Sequence, residues 1–311
     1  MEFYHVPVLA KQCIEALAIR PDGVYADGTT GGGGHSRLIA EQLNEKGRLI
    51  CIDRDDAALA AARKRLTGFV CHIDFAKSNF MDMDQVFESL GVPAVDGILL
   101  DLGVSSYQLD TPERGFSYQS DAPLDMRMDR AQSLTACEVV NSYSEERLRE
   151  IIGSYGEERY AGRIAAAIVS HRKRRPIETT AELSDIIRAA MPAAARREKQ
   201  HPAKRTFQAI RIEVNGELTA VQAALDKAVP CLTAGGRIVV ISFHSLEDRI
   251  VKQTFAGLAR GCVCPKEFPV CVCGRKPQVR LIEKGGVTAS EEELRENPRA
   301  RSARLRTAEK L

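Results

Sequence analysis

No run of apolar residues in this chain is long enough to cross a bilayer, which excludes a helical membrane protein. The first residues, MEFYHVPVLAKQC, lack the basic-then-apolar shape of a secretory signal, so a cytoplasmic location is expected. Tryptophan is absent from a composition that is otherwise globular, 44% hydrophobic and 28% charged over 311 residues. That length suits one large domain or two ordinary ones. There is no internal repeat and no low-complexity tract. Net charge is only +2, but it is unevenly spread: residues 170–206 hold ten Lys or Arg against four acids. Such an excess suits a phosphate-binding face as well as an ordinary solvated surface.

Two familiar nucleotide motifs are also missing, and they are missing from the stretch where they would be sought. DGTTGGGGHSR, residues 27–37, places four consecutive glycines between a short apolar segment and a helix-like one. Glycine loses more conformational freedom on folding than any other residue, so such a run needs a reason. A phosphate-binding loop would require Lys-Ser or Lys-Thr after the glycines, and neither follows. The dinucleotide fingerprint G-x-G-x-x-G fails as well, because Ser36 or Arg37 falls at its third glycine. S-adenosylmethionine remains, a cofactor with no pyrophosphate to cradle. Asp53, at the end of the strand-like RLICID, suits the two ribose hydroxyls of such a ligand. Its bland alternative is a helix cap, for which Asp55 is better placed.

Strand and helix signals alternate through residues 24–27, 35–43, 48–53, 56–66, 69–73, 83–90 and 95–101, the rhythm of parallel βαβ units. From 111 to 205 strand signals vanish and helical stretches take over, at 144–152, 157–174 and 180–190. A long amphipathic helix over 206–229, a strand over 235–243 and a helix over 245–258 resume the rhythm. The expected architecture is α/β: a Rossmann-like doubly wound sheet formed by residues 1–110 and 206–311. An all-helical domain, 111–205, is inserted after its fourth strand and is expected to recognise the substrate.

Several longer motifs carry a resemblance. HVPVL (5–9), DGTTGGGGHS (27–36), GILLDLGVSSYQLD (97–110), YGEERYAGRIAAAI (155–168), HPAKRTFQAIRIEVNGEL (201–218), ISFHSLEDRIVK (241–252) and ENPRARSARLR (296–306) resemble the RsmH (MraW) family of ribosomal RNA small-subunit methyltransferases, across nearly the whole length. The resemblance implies a class I S-adenosylmethionine-dependent methyltransferase fold with a helical insertion. It also implies N4-methylation of a cytidine in the decoding region of 16S ribosomal RNA, within the small ribosomal subunit, with no DNA or membrane partner. The cofactor contacts it implies are Gly33, Gly34, His35, Asp53, Phe80, Asp101 and Gln108, with Phe75 a rival to Phe80. Asp101, at the end of the fourth strand, is the candidate catalytic residue, facing either the reacting amine or the methionine ammonium. Met126 and Met128 suit either a cytosine pocket or the core of the insertion. Arg172, Lys173, Arg174 and Arg175, with Arg299, Arg301, Arg304 and Arg306, are candidate phosphate contacts. Three other readings stand beside this one: a nicotinamide oxidoreductase, a noncatalytic ribosomal RNA-binding assembly factor, and an amino-methyltransferase acting on another substrate.

Eight of the nine cysteines fall into two groups. Cys51, Cys71, Cys137 and Cys231 lie singly in apolar segments, as buried reduced thiols do. Cys262, Cys264, Cys271 and Cys273 form two Cys-x-Cys pairs around a loop with two prolines. Four thiolates are the number that closes a tetrahedral structural zinc site, although the pairs are tighter than the usual spacing. A loop of reduced thiols, or disulfides formed in air, would be the alternatives.

Overall fold

The computed structural model describes residues 7–198, 200–265, 268–270 and 272–311. The chain forms two compact units, one running to Gly103 and resuming at Leu218, the other spanning Val104–Glu217. The first unit opens with α1 (Ala10–Leu17), β1 (Val24–Asp27), α2 (Gly34–Ala40), β2 (Arg48–Asp53), α3 (Asp56–Arg65), β3 (His72–Lys77), α4 (Met83–Ser89) and β4 (Val95–Asp101). The second holds α5 (Ser106–Asp110), α6 (Ala136–Ser142), α7 (Glu145–Gly156), α8 (Ala161–Arg172), α9 (Thr180–Ala190) and α10 (Lys204–Asn215). The first then continues through α11 (Glu217–Cys231), β5 (Leu232–Ser242), α12 (Ser245–Ala259), β6 (Val279–Leu281), α13 (Glu291–Glu296) and β7 (Arg304–Lys310).

The seven strands form one sheet in the order β3-β2-β1-β4-β5-β7-β6. The first five run parallel, and β7 lies antiparallel between β5 and β6. Strands buried on both faces read as continuous apolar runs, and alternate residues separate the two faces. Ile50, Ile52, Ile98, Leu100, Ile238 and Val240 join one core with Phe87 of α4, Leu225 of α11 and Phe255 of α12. Leu49, Cys51, Leu99, Val239 and Ile241 join another with Leu17 of α1, Ile39 of α2 and Ala62 of α3. Among the described residues, no helix is long and apolar enough to cross a membrane.

Three expectations are corrected. The third strand runs from His72 to Lys77, not over 69–73, because its register sets His72 level with Arg48 at the start of β2 and Lys77 level with Asp53 at its end. The single helix expected over 206–229 is α10 and α11, broken at Gly216, whose φ of +59° ends α10 in a left-handed cap. That break moves the domain boundary to 217/218 and gives α10 to the helical unit. The expected helix over 157–174 starts only at Ala161, because Glu157 closes α7 with φ +48°.

The helical unit has its own core, built from Val139, Leu148, Ile151, Ile164, Ile168, Leu183, Ile187, Phe207 and Ile210 among others. Reciprocal capping boxes start α6 at Thr135/Glu138 and α9 at Thr179/Glu182. Between α5 and α6 the chain turns at Gly115, with φ +69°. A Cβ there would lie 2.3 Å from Pro123 O and 2.8 Å from Asp125 N, both of them backbone atoms. Gly115→Ala is therefore expected to cost on the order of 2–4 kcal/mol, from backbone strain plus overpacking. The check is a urea titration followed by far-ultraviolet circular dichroism; a midpoint equal to that of the wild type would refute the packing account.

Candidate active site at the carboxyl ends of β1, β2 and β4

β1 pairs with both β2 and β4, so the strand order reverses there, and a crevice opens at the carboxyl ends of such strands. Asp27 lies level with Cys51 and Leu99. Asp53 and Asp101 come two residues beyond those partners, so the two carboxylates flank the glycine loop that leaves β1.

Asp27 itself is buried and clamps the loop at both ends. One carboxylate oxygen accepts from Thr29 N at 3.1 Å, and the other accepts from the Ser36 hydroxyl at 2.6 Å. Burial pushes its pKa up, and the Ser36 hydrogen bond opposes the shift. Gly31 and Gly33 take φ of +50° and +76°. The N–H of Gly31 donates to Asp53 Oδ2 at 2.8 Å, and that of Gly33 donates to Thr30 O at 2.8 Å.

Each glycine serves a different neighbour. A Cβ on Gly33 would meet Ala62 of α3 at 3.2 Å, and one on Gly34 would meet Pro7 at 3.0 Å. A Cβ on Gly28 would fall 2.6 Å from the Leu100 side chain. A Cβ on Gly32 would have nothing within 4 Å. Room for a ligand therefore lies over Gly32, while Gly33 and Gly34 are small so that α3 and Pro7 can approach.

His35 follows the glycines, in the first turn of α2. Its imidazole is buried, with Nε2 2.9 Å from Val8 O and Nδ1 3.4 Å from Asp101 Oδ2. Both ring nitrogens face protein partners, and through Nδ1 the side chain positions Asp101. Burial disfavours the charged imidazolium, but the Cys13 sulfur and the Asp101 carboxylate outweigh it and raise the His35 pKa well above its usual value. Burial also pushes the Cys13 thiol up, against the opposing pull of His35.

Asp53 accepts from Asp55 N and Gly31 N, each at 2.8 Å, and every oxygen keeps a second lone pair for a ligand hydroxyl. Burial pushes its pKa up to about 6, against the two backbone donors. The capping role belongs to Asp55, which accepts from Ala57 N at 3.0 Å. Phe80 lies beside the loop, its Cβ 3.2 Å from the place a Gly28 Cβ would take. Phe75 belongs to the α3 side of the sheet, where the Arg63 guanidinium covers its ring at 4.4 Å.

Asp101 completes the group. Its N–H donates to Thr29 Oγ1 at 2.6 Å. Its Oδ1 is buried and has no hydrogen-bond partner among the described residues. A buried carboxylate oxygen without a donor is costly, so this atom marks where an N–H or O–H of a ligand belongs.

The remaining candidates fall elsewhere. Gln108 is buried in the helical unit, where its Oε1 accepts from Ser105 N at 3.1 Å in a capping box. Met126 and Met128 belong to the core of that unit, and Asn215 binds the backbone of both at 2.8 Å. Arg172 is spent on the carbonyls of Val140 and Tyr143. Arg175 pairs with Glu182, and Arg306 pairs through two nitrogens with Asp248 at 2.6 and 3.0 Å. Cys271 lies outside the described residues. The reading of the sequence passed over Thr29, Ser36 and Cys13; the first two stand within the quoted glycine motif, while nothing in the sequence marks Cys13.

The profile of the MraW methylase family matches residues 2–311. The chain is 56% identical over 312 residues to the ribosomal RNA small subunit methyltransferase H of Heliobacterium modesticaldum, with 100% of each chain covered. It is 53% identical over 311 residues to the protein of that name from Brevibacillus brevis, covering 100% of this chain and 99% of the other. The corresponding protein of Symbiobacterium thermophilum is 54% identical over 311 residues, with 100% and 98% covered. A doubly wound sheet with a helical unit between β4 and β5 is the class I S-adenosylmethionine-dependent methyltransferase fold that the motifs imply. Family match, relatives and sheet agree, and the chain belongs to the MraW methylase family.

Proposed function

We propose that this chain methylates ribosomal RNA of the small subunit, using S-adenosylmethionine, and that its target is the N4 amine of a cytidine in the decoding region of 16S ribosomal RNA. The names of its relatives support the RNA class, and the resemblance of its motifs supports the nucleotide. The observation that carries the reading is the donorless Asp101 Oδ1, at the end of β4 on one side of β1, with Asp53 at the end of β2 on the other.

S-adenosylmethionine would supply a methyl group on a sulfonium: the attacking amine would take the methyl, sulfur would keep the bonding electron pair, and the methylated amine would give up one proton. Asp53 holds the ribose hydroxyls. Phe80 lies against the adenine. Asp101 Oδ1 accepts from the methionine ammonium, held in place by His35 Nδ1 at Oδ2 and by Thr29 at its own backbone. Cytosine N4 is a weak nucleophile because its lone pair is delocalised into the ring. Holding amine and methyl in line therefore provides much of the acceleration. The target base leaves its stack at a cost of a few kcal/mol, which phosphate contacts on the basic helical unit offset. Exposed cations there include Lys173, Arg174, Arg196, Arg197 and Lys204.

The direct test is transfer of a tritiated methyl group to small ribosomal subunits from a strain lacking the enzyme, with mass mapping of the product. Label on N4 of a decoding-region cytidine is expected. Label on another nucleotide would overturn the site, and no label would favour a noncatalytic assembly factor.

The titration of Asp53 gives a second check. Below a pH of about 6 the unliganded protein holds Asp53 protonated, and a hydroxyl-binding acceptor is lost. Affinity for S-adenosylhomocysteine should thus rise with pH through about 6 and level off above it. Asp53→Asn should weaken binding at pH 7.5 about tenfold to a hundredfold, the equivalent of ~1.5–3 kcal/mol, and flatten the pH dependence. Calorimetry at several pH values measures both; a variant with the wild-type slope would exclude Asp53 as the ribose acceptor.

The charged face gives a third check. Reversing Lys173, Arg174, Arg196 and Lys204 to Glu should weaken RNA binding and lower its salt slope by about one unit for each phosphate no longer neutralised. S-adenosylhomocysteine affinity should stay unchanged. An unaltered salt slope in filter binding would mean that these side chains only face solvent.

A further inference from the structure

The connection between α12 and β6, residues 260–278, is a long one, with no helix or strand among its described residues. Its ends meet. Gln278 N donates to Leu258 O at 2.9 Å, and the Arg275 guanidinium donates to Gly257 O at 2.8 Å. Gly261 allows that meeting, since a Cβ there would lie 3.3 Å from Pro277 Cδ. The loop's described residues form no apolar core of their own. Val263, Phe268, Val270 and Val272 are 44–74% exposed, and they make up most of the large apolar side chains exposed among the described residues. Burial therefore does not hold this segment together, and a segment without a core needs a cross-link.

Thiols from its two arms converge. The Sγ atoms of Cys262, Cys264 and Cys273 all lie within 4.8 Å of one another. Cys262 Sγ and Cys273 Sγ, from opposite arms, are 3.7 Å apart. A disulfide would require about 2.05 Å. Two sulfurs bound to one tetrahedral zinc ion, at about 2.3 Å each, stand roughly 3.8 Å apart. The backbone N–H of Cys264 also points at Cys262 Sγ, 3.4 Å away, which stabilises negative charge on that sulfur. Gly274, with φ +61°, turns the chain immediately after Cys273 and lets the second arm fold back. Three soft sulfur donors with no carboxylate or imidazole among them select zinc over magnesium or calcium.

We propose that Cys262, Cys264 and Cys273 bind one structural zinc ion as thiolates and that the ion staples the loop between α12 and β6. Each thiol that becomes a ligand releases its proton, so occupancy rises with pH. Methyl transfer needs no metal, and the ion takes no part in the reaction. Cys271, the partner of Cys273 in the second Cys-x-Cys pair, lies outside the described residues.

The test uses the full chain purified under reducing conditions without chelator. Elemental analysis should find close to one zinc per chain in the wild type and almost none in the double variant Cys262→Ser/Cys273→Ser. Cobalt(II) added to the metal-free wild type should give a sulfur-to-metal charge-transfer band and the intense visible absorption of a tetrahedral site. That titration stands even where the double variant does not fold. Chelation should also speed trypsin cleavage after Arg275 several-fold. Wild-type protein that holds no zinc and gives no cobalt charge-transfer band overturns the site. Equal zinc in the double variant marks an adventitious ion and overturns it too. Cleavage after Arg275 at an unchanged rate with and without zinc overturns the structural role.

Discussion

A single buried carboxylate holds the centre of this molecule together. Asp27 accepts from Thr29 N on one side of the glycine loop and from the Ser36 hydroxyl on the other. The loop can therefore be almost bare of side chains and still have one shape. Thr29, held there, receives the N–H of Asp101, and Gly31 reaches across to Asp53. Three acids at the ends of three adjacent strands are thus set by one pair of hydrogen bonds. Burial raises the pKa of both Asp27 and Asp53, so the site carries an electrostatic cost even before any ligand is bound.

Much of this was legible in the residues, for identifiable reasons. Strands buried on both faces are uninterrupted apolar runs, so β1, β2, β4 and β5 stand out. β7, RLRTAEK, does not. It carries charges on both sides of its apolar positions and joins the sheet through Leu305, Ala308 and the pairing of Arg306 with Asp248. The break at Gly216 escaped because one glycine within an amphipathic pattern is compatible with a continuous helix; its left-handed φ is visible only in three dimensions.

Within the site, residue types were legible and their partners were not. The motif showed that side chains are excluded from the glycine run, but Ala62 and Pro7 do the excluding at Gly33 and Gly34. A histidine at a helix start looks the same whether it faces a cofactor or, as His35 does, a neighbouring carboxylate and a carbonyl. Arginine counts overstated the phosphate-binding surface for the same reason. Arg172 and Arg306 are structural cations, one satisfying helix-end carbonyls and the other a buried-side aspartate.

The place of the helical unit in the chain has a kinetic meaning. β4 must pair with β5 although Val104–Glu217 separates them in sequence. Closing so long a loop as random coil carries a large entropic cost and delays non-local pairing. The separating segment, however, has an independent core and capped helices, and α8 packs on its sequence neighbours α7 and α9. Once it has folded, the chain between β4 and β5 is no longer a coil, and the sheet is joined across a preformed body. The order of assembly follows from topology: local helical contacts first, the central β4–β5 seam afterwards, and the antiparallel β7 only when β5 is already in place to receive it.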